Sequence, residues 1–308
     1  MTEKTYDVLV VGAGPTGLCA AYFLSRQGVS VKLIDRRDGP NHESRAMGVQ
    51  ARTLEFYRQF GIAQGAIDLG LPTGAANFWV HGERRVQFSL ADMGEGLSPY
   101  PFMLTLAQDV HERYLLECLD ALGVQVQWST ELVELRQDEE RVLVTLAARE
   151  NPEDTHELEI PWLIGCDGAS SATRKQLGFG FGGGTSEGLF FVADAEIDRE
   201  NTELHVGFGT DSVALLMPVR TSGTQRIIGF VPPELAEERE LIFEDVSADA
   251  QSLLGIEVKE VNWFSSYKVH HRVADHFRRG RCFIAGDAGH LHSPVGGQPM
   301  NTGIGDAM

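Results

Sequence analysis

Glycines with the spacing GAGPTG are the first residues of this sequence that could do chemistry. Gly12, Gly14 and Gly17 follow the short apolar run YDVLVV and open the helical pattern PTGLCAAYFLSRQG. In a strand–turn–helix unit, the first glycine permits the tight turn, the second lets the backbone approach a pyrophosphate, and the third allows close packing of helix on sheet. The N–H groups at the helix start then favour phosphate. Pro15 and Thr16 belong to the same predicted dinucleotide-binding turn.

An acidic residue follows at the distance where a ribose contact is expected. A second apolar run, VSVKLID, ends at Asp35, 18 residues after Gly17. A carboxylate at the end of the second strand can bind a ribose hydroxyl. Arg36, the next residue, is predicted as a further cofactor contact, although it carries little weight as a sign of a 2′-phosphate site. The unit therefore predicts dinucleotide binding, and it does not separate FAD from NAD.

Composition bounds the function classes open to this chain. Its 308 residues correspond to about two domains, and 43% apolar residues are ample for a core. Lys plus Arg number 26 against 44 Asp plus Glu, and the formal charge of −18 argues against nucleic acid as a partner. The four cysteines form no CxxC pair, which predicts buried free thiols in a reducing cytoplasm. No signal-peptide pattern begins the chain, and no run reaches the ~18 apolar residues of a membrane span.

The elements that must position these residues predict an α/β fold. Strand, glycine turn, helix and strand form a βαβ unit, so a Rossmann-like domain with a parallel sheet is expected. Residues 73–100 and 181–268 alternate in polarity and predict a mostly antiparallel β-sheet domain inserted into the first. Residues 1–72, 101–180 and 269–308 then form the nucleotide-binding domain.

Two later segments complete the pattern. IGCDGASSATR carries Asp167 and Gly168 after an apolar run, and GRCFIAGDAGHLHSPVGGQPMN carries Asp287. Together with GAGPTG they resemble the fingerprints of the single-component FAD-dependent aromatic hydroxylases, the p-hydroxybenzoate hydroxylase-like family, over nearly the whole chain. The resemblance implies FAD as the cofactor, NAD(P)H as the co-substrate, and the inserted sheet as the substrate-binding domain.

The resemblance also implies roles for the glycine-rich segment. Asp287 would hydrogen-bond the ribityl chain of FAD, and Gly297 would let the backbone pass close to the flavin ring. The backbone N–H groups of Met300 and Asn301 would point at the flavin pyrimidine carbonyl. Pro294 is the one residue predicted near the reacting carbon. A D-x-x-H-x-H metal site beginning at Asp287 is disfavoured, because no further ligand motif accompanies it.

Three other contacts rest on the same resemblance. ESRAMGVQARTLE implies Arg45 as a cofactor contact, and LAQ at the start of a long helix implies Gln108. Asp167 and Gly168 belong to a segment that the family associates with both FAD and NAD(P)H. For that segment an ordinary strand–turn–helix with Ser or Thr caps stays open as the alternative.

The implied activity is that of a monooxygenase. NAD(P)H would reduce FAD, and reduced flavin would take up O₂ to form a C4a-hydroperoxide that hydroxylates a phenolic or polyketide-like aromatic substrate. Candidate pocket residues with a period of two favour an uncharged or bulky substrate, with plain core packing as the alternative; they are Leu204, Val206, Leu215 and Met217. The competing functions are a halogenase- or reductase-like flavoprotein and a non-catalytic flavin-binding fragment.

The sequence stops soon after the glycine-rich segment. Eight residues, Asn301 to Met308, remain for the last helix, and isolated helices shorter than ~12 residues are marginal in water. Because this helix continues in the family, we expect a chain that lacks the C-terminal region.

Overall fold

The computed structural model describes residues 5–41, 46–219, 223–235, 241–293 and 297–308. The strands are β1 (Val8–Val11), β2 (Val31–Ile34), β3 (Gly48–Val49), β4 (Leu71–Thr73), β5 (Ala75–Val80), β6 (Glu83–Ser89), β7 (Met103–Thr105), β8 (Val126–Gln127), β9 (Thr130–Gln137), β10 (Val142–Ala148), β11 (Asn151–Ile160), β12 (Trp162–Gly165), β13 (Phe181–Ile197), β14 (Leu204–Phe208), β15 (Val213–Pro218), β16 (Gln225–Phe230), β17 (Val258–Ala274), β18 (Arg278–Arg279), β19 (Cys282–Ile284) and β20 (His290–Leu291). The helices are α1 (Pro15–Arg26), α2 (Ala51–Gln59), α3 (Ala63–Leu69), α4 (Leu90–Gly94), α5 (Gln108–Asp120), α6 (Ala172–Gln176), α7 (Phe243–Leu254) and α8 (Gln298–Asp306).

A six-stranded sheet in the order β18-β19-β12-β1-β2-β8 forms the centre of the nucleotide-binding part. All neighbouring strands in it are parallel except the edge pair β18 and β19. The strand VLVV is buried along its whole length, as expected for a parallel strand covered on both faces. The predicted α/β class with a parallel sheet is therefore confirmed.

Alternate residues of β1 face two different layers. Val8 and Val10 pack with helices α1, α2, α3, α5 and α8 in one core. Leu9 and Val11 pack on the other side against β9, β10 and β11, which form an antiparallel three-stranded sheet. The period of two thus places the central sheet between a helical layer and a second sheet.

The largest sheet has eight strands in the order β20-β17-β13-β16-β15-β14-β5-β6. Its strand pairs are antiparallel except for β14 and β5. Its strands come from residues 75–89 and 181–274, joined by β20, so it takes in residues beyond the predicted range 181–268. The division into domains at the expected boundaries stays a prediction.

Helix α7 covers one face of this large sheet. Phe191, Leu216 and Ile227 pack there with Val246 and Leu254 of the helix. The opposite face meets the nucleotide-binding part where Val219 packs with Met47 and Ala107. Among the helices of the described ranges, none has the length and apolar character needed to cross a membrane.

Candidate functional site

The turn between β1 and α1 is built on glycines with two different tasks. Gly12 has φ +104°, a backbone conformation that favours glycine. A Cβ at Gly12 would overlap the carbonyl oxygen of Cys166, and one at Gly17 would overlap the carbonyl oxygen of Gly12. A Cβ at Gly14 would meet nothing within 4 Å. Gly12 and Gly17 therefore allow close packing, whereas Gly14 borders open space at the start of α1.

The start of α1 is open to an anion. Gly14 is the N-cap in extended conformation, and within the described residues no side chain caps the helix. Pro15 at the first position has no N–H group to lose, and the N–H groups of the first turn lack intrahelical partners. These donors and the positive end of the helix dipole suit a phosphate group.

Thr16 brings three distant segments together. A Cβ on Gly286 would lie 2.5 Å from the Thr16 hydroxyl oxygen, and a Cβ on Gly303 would overlap the same atom. Gly286 also has φ +62°, so this turn needs glycine for its backbone as well as for space. The first turn of α1, the turn containing Asp287 and helix α8 are therefore in direct contact, as binding of one ligand by all three requires.

Asp167 lies beside the glycine turn, and its side chain accepts hydrogen bonds from the start of α6. Its Cα is 3.0 Å from the position that a Cβ on Gly12 would take. Its carboxylate accepts hydrogen bonds from the Ser171 hydroxyl at 2.5 Å, the Thr173 N–H at 2.9 Å and the Thr173 hydroxyl at 3.1 Å. The N-cap of α6 is Ser171, whose hydroxyl accepts from the Arg174 N–H at 2.9 Å, so the helix has the Ser cap of the alternative, and the cofactor role of Asp167 stays a prediction. Gly168 has φ +78° with open space at its Cβ position, so its backbone is the accessible part of this turn.

Arg174 connects the same turn to the Asp287 segment. Its guanidinium donates to the carbonyl oxygens of Ala288 and Ala169, both at 2.9 Å, and lies 3.8 Å from the centre of the Phe181 ring. Burial lowers the pKa of Arg174, although Asp167 opposes the change. Through these protein contacts the side chain connects the Asp167 turn to the Asp287 turn.

Asp35 at the end of β2 is buried, and both of its carboxylate oxygens accept hydrogen bonds. Its carboxylate accepts from the Ala13 N–H at 2.6 Å and from the Arg37 N–H at 2.8 Å. The Arg37 guanidinium completes the site, with Nε 3.2 Å from Asp35 and a further hydrogen bond of 3.0 Å to the Ala13 carbonyl oxygen. Arg36 is exposed to solvent. A ribose at Asp35 would therefore share the carboxylate with Arg37.

Gln108 begins α5 and joins this polar group. It donates to Glu112 at 2.9 Å and accepts from the Ala46 N–H at 3.2 Å. Glu112 is 1% exposed and accepts from the Asn41 N–H at 3.1 Å, with the Arg37 guanidinium at 3.6 Å. Asp35, Arg37, Glu112 and Gln108 thus form one continuous polar chain from β2 to α5.

Asp287 is exposed to solvent in the turn that follows β19. Desolvation raises the pKa of its carboxyl, while the neighbouring His290 and His292 lower it. A carboxyl with a raised pKa changes from acceptor to donor more readily than an ordinary aspartate. This suits a hydrogen bond to a hydroxyl-rich ligand such as a ribityl chain.

Asn301 fixes the start of α8. Its side-chain oxygen accepts from the Gln50 N–H at 2.9 Å and the Thr53 hydroxyl at 2.7 Å. Its side-chain nitrogen donates to the carbonyl oxygens of Gly48 at 2.8 Å and Gly297 at 2.6 Å. The helix begins after Gly297, which has φ +64°, with no side-chain cap in the described residues. The N–H of Met300 in the first turn consequently lacks an intrahelical partner.

Two predicted site residues, Arg45 and Pro294, lie outside the described residues. Most of the others fall into two groups. Gly14, Thr16, Asp287 and α8 meet at one place, while Asp35 and Gln108 belong to the polar chain beside α1. All of them stay predictions as cofactor contacts.

Comparison with known proteins identifies the family. The model of a family described as "FAD binding domain" matches residues 5–308. The chain belongs to this FAD-binding domain family. It is 37% identical to a 6-methylpretetramide 4-monooxygenase of Streptomyces rimosus and 32% identical to a pentachlorophenol 4-monooxygenase of Sphingobium chlorophenolicum, in each case over 98% of this chain. A crystal structure of the flavin-dependent monooxygenase PieE with FAD and substrate matches 100% of the chain with a TM-score of 0.85 and 26% identity. The predicted family resemblance and FAD as the cofactor are thereby confirmed.

The chain spans only part of these relatives. It covers 54% and 56% of the two monooxygenases and 57% of the PieE chain. The activity of the complete relatives is for this reason a matter of proposal for this member of the FAD-binding domain family.

The residues of the site fit FAD. Open backbone at Gly14 and the uncapped start of α1 would hold the pyrophosphate, and Asp287 offers a hydrogen-bonding group to the chain of hydroxyls beside the flavin. The uncapped start of α8 would supply N–H donors to the flavin ring. We call the start of α1, the Gly286–Ala288 turn and the start of α8 together the cradle. No described side chain fills the space at Gly14, so the cradle is consistent with the cofactor of the family.

The four predicted pocket residues lie on one face of the large sheet. Pairing places Leu215 beside Val206 and Met217 beside Arg226, while Gly207 and Gly229 are the positions whose Cβ atoms would point at α7. Leu204, Val206 and Leu215 are half-buried and Met217 is 9% exposed. They are therefore absent from the core under α7 and face the side on which Val219 meets the nucleotide-binding part.

Sequence reasoning missed three contributors: Arg37, Glu112 and the pair His290–Asp306. Arg37 lies beside a residue that was predicted, and a buried acid and base at one sheet edge could have suggested the pair Asp35–Arg37. Glu112 gives a weaker signal. The segment QDVHE opens an amphipathic helix, and Glu112 is the acidic residue of that segment that faces the core. The His290–Asp306 contact joins residues 16 positions apart across a turn that the sequence pattern does not define.

Proposed function

We propose that this chain is the FAD-binding and substrate-binding part of an NAD(P)H-dependent monooxygenase that hydroxylates a phenolic or polyketide-like aromatic compound with O₂. Family membership supports the flavin half of the proposal. The similarity to a 6-methylpretetramide 4-monooxygenase and a pentachlorophenol 4-monooxygenase supports the aromatic half.

The observation that carries the proposal is the meeting of three motifs at Thr16. The start of α1, the Asp287 turn and α8 come from residues 12–17, 286–288 and 298–306. A structural glycine turn would need only its own strand and helix. Convergence of all three leaves an extended cradle that suits a two-part nucleotide such as FAD.

FAD, when bound, supplies electron transfer from NAD(P)H and the activation of O₂. The residues of this chain bind and orient it: the α1 turn at the pyrophosphate, Asp287 at the hydroxyl chain, and the α8 donors at the ring. Negative charge on the ring would be stabilised by the N–H groups and dipole of α8. Asn301 contributes indirectly, because its four hydrogen bonds hold that helix start in place.

The sheet face opposite α7 is the proposed substrate wall. One cross-strand row runs through Val192, Ile228, Leu215, Val206 and Phe78. Beside it Phe190 lies 4.1 Å from the Phe230 ring and 5.9 Å from the Tyr267 ring, centre to centre. Such a surface favours a flat aromatic ligand and excludes water from the reacting groups.

The test of the function uses the purified chain with added FAD. We expect yellow protein that releases FAD on denaturation, and NAD(P)H oxidation that phenols or tetracyclic aromatics stimulate, with product one oxygen heavier by mass spectrometry. A parallel H₂O₂ assay separates hydroxylation from uncoupled oxidation. Protein that takes up no FAD contradicts the flavin assignment. Bound FAD without stimulated turnover would favour a non-catalytic binding unit, and chlorinated product would favour a halogenase.

The substrate wall has its own test. Leu215→Gln places an amide in the proposed wall, whereas Leu143→Gln changes a leucine that is 38% exposed on β10. We expect the first change to raise KM for the aromatic substrate at least about fivefold with FAD content unchanged, since an unpaired polar group is costly beside an apolar ligand. Equal KM values for the two variants would contradict the wall.

We also propose a reducing, cytoplasmic location. All four cysteines are free. Burial raises the pKa of the Cys19 and Cys282 thiols to about 12, which keeps them as unreactive thiols. Fractionation of cells that express the protein would test the location.

A further inference from the structure

Asp306 links the last turn of α8 to both sides of the Asp287 turn. Its Oδ2 atom accepts a hydrogen bond of 2.8 Å from the Gly286 N–H. The same oxygen lies 2.6 Å from Nε2 of His290, which donates to it. The His290 side chain is 7% exposed and that of Asp306 is 27% exposed. One carboxylate oxygen thus holds the residue before Asp287 and the histidine three residues after it.

The turn between these two contacts has little room to move. Gly286 is packed against Thr16, and Gly303 of α8 is packed against the same side chain. Downstream, the His290 ring stacks on His292 with centres 4.6 Å apart and lies 6.1 Å from the Phe277 ring. Steric contact thus limits the turn on one side, and the hydrogen bonds of Asp306 determine its position relative to α8.

We propose that Asp306 and His290 are a positioning pair that holds the Gly286–Ala288 turn on α8 and so sets Asp287 in place for FAD. The inference rests on FAD occupying the site as proposed above. Neither residue needs to touch the cofactor. Their effect is that the Asp287 carboxylate and the N–H donors of α8, which would contact different parts of FAD, are held at a fixed separation before FAD arrives.

The charges around the pair favour a protonated His290. The hydrogen bond to Asp306 is the main cause that raises the pKa of His290, and Asp287 adds to it while burial opposes it. His292 is the other titratable group against the ring, and burial and His290 lower its pKa; His271 of β17 acts on His292 in the same sense. Because the pKa of His290 is raised, the charged form of the pair is present at lower pH and is lost as pH rises through the His290 titration.

The chain contains a matched control for this pair. Asp275 accepts from the Gly180 N–H at 3.0 Å, and its carboxylate lies 3.2 Å from Nδ1 of His276. That pair repeats the chemistry of Asp306 and His290, but its side chains are 55% and 63% exposed. His276 stacks on Phe179 as His290 stacks on His292. His276→Phe therefore reproduces the change His290→Phe outside the cradle.

The experiment titrates FAD into FAD-free protein and follows quenching of flavin fluorescence at several pH values. His290→Phe keeps the stacked ring and removes the donor, and Asp306→Asn keeps an acceptor and removes the charge. We expect both to raise the FAD dissociation constant about tenfold at neutral pH, the effect of losing a charge-assisted hydrogen bond, while His276→Phe leaves it unchanged. In the parent protein FAD affinity should fall as pH rises through the His290 titration, and in His290→Phe this part of the pH profile should be flat.

The outcomes separate this inference from the function on which it rests. Parent protein that binds no FAD overturns the function. Parent protein that binds FAD, with His290→Phe or Asp306→Asn equal to it in affinity and pH profile, overturns the positioning pair. Circular dichroism and urea unfolding of each variant show whether it folds, and if His290→Phe does not fold, the milder Asp306→Asn decides.

Discussion

A histidine in the helical core gives a prediction whose size follows from the structure. His111 of α5 is 0% exposed, and its Nε2 atom lies 2.7 Å from the hydroxyl of Tyr57, which lies 3.3 Å from the Cys19 sulfur. No hydrogen-bond partner for its Nδ1 atom is found in the described residues. Burial lowers the pKa of His111 from 6.5 to about 4. The ring is therefore neutral in the folded protein at neutral pH.

Acid should destabilise the fold through this residue. Since the pKa is lower in the folded state, the unfolded chain binds the proton more tightly, and stability is lost as pH falls through the range from 6.5 to about 4. At about 1.4 kcal/mol per pH unit, the loss amounts to about 3 kcal/mol. That is a large share of the ~5–15 kcal/mol by which proteins are stable.

Urea unfolding from about pH 7.5 to about pH 4 checks this value, because that pH range covers roughly the whole titration of His111. His111→Gln removes the titrating ring, and His156→Gln removes an exposed histidine on β11 as a control. Other acid-sensitive groups are common to all three proteins, so they cancel in the differences. We expect the stability advantage of the parent over His111→Gln to shrink by about 3 kcal/mol on acidification, and that over His156→Gln to stay constant. An advantage over His111→Gln that does not change with pH would refute the reasoning.

Three further predictions concern the cradle. Gly17→Ala should lower stability by more than about 2 kcal/mol in thermal unfolding because its Cβ overlaps backbone. Gly14→Ala should leave stability within about 0.5 kcal/mol and weaken FAD binding in a fluorescence titration. A Gly14→Ala protein less stable than Gly17→Ala would be inconsistent with the packing. Asp167→Ala should cost about 1–2 kcal/mol in urea unfolding because the start of α6 loses the acceptor of the Ser171 hydroxyl and the Thr173 N–H, and an unchanged midpoint would show that these contacts are not stabilising. Asn301→Leu should cost more than about 2 kcal/mol by removing the acceptor of the buried Thr53 hydroxyl, and near-parent stability would contradict the role of that side chain.

The parts of the fold that local pattern determines were predictable. The run YDVLVV, the glycine turn and the helix after it have a period and punctuation that belong to one structure, and β1 and α1 form where expected. The large sheet was predictable in kind, because alternation shows which residues share a face. Its extent was not, since β13 and β17 are 17 residues each and pair through several irregularities of register.

The roles of single polar side chains were predictable only where their partners are near in sequence. Ser171 accepts from the Arg174 N–H three positions away, so a Ser cap could be considered from the sequence. Asn301 binds residues 248 to 253 positions away, and the sequence around Asn301 contains no pattern that indicates these partners. For this reason the prediction for Asn301 concerned its backbone, while its side chain, which holds α8 in place, was not considered.

Small residues explain why the cradle depends on the whole chain. Gly12 is packed on Cys166, Gly286 and Gly303 are packed on Thr16, and a side chain at any of these glycines would push two segments apart. The segments belong to β1 and α1, to the end of β12, to the turn after β19 and to α8, so no contiguous part of the sequence can form the cradle alone. Binding of FAD therefore requires long-range assembly to be complete, and helix α8, although short, is held by that assembly through Asn301 at its start and Asp306 at its end. It follows that the stability of α8 comes from tertiary contacts, which is the reason that a length argument for isolated helices does not apply to it.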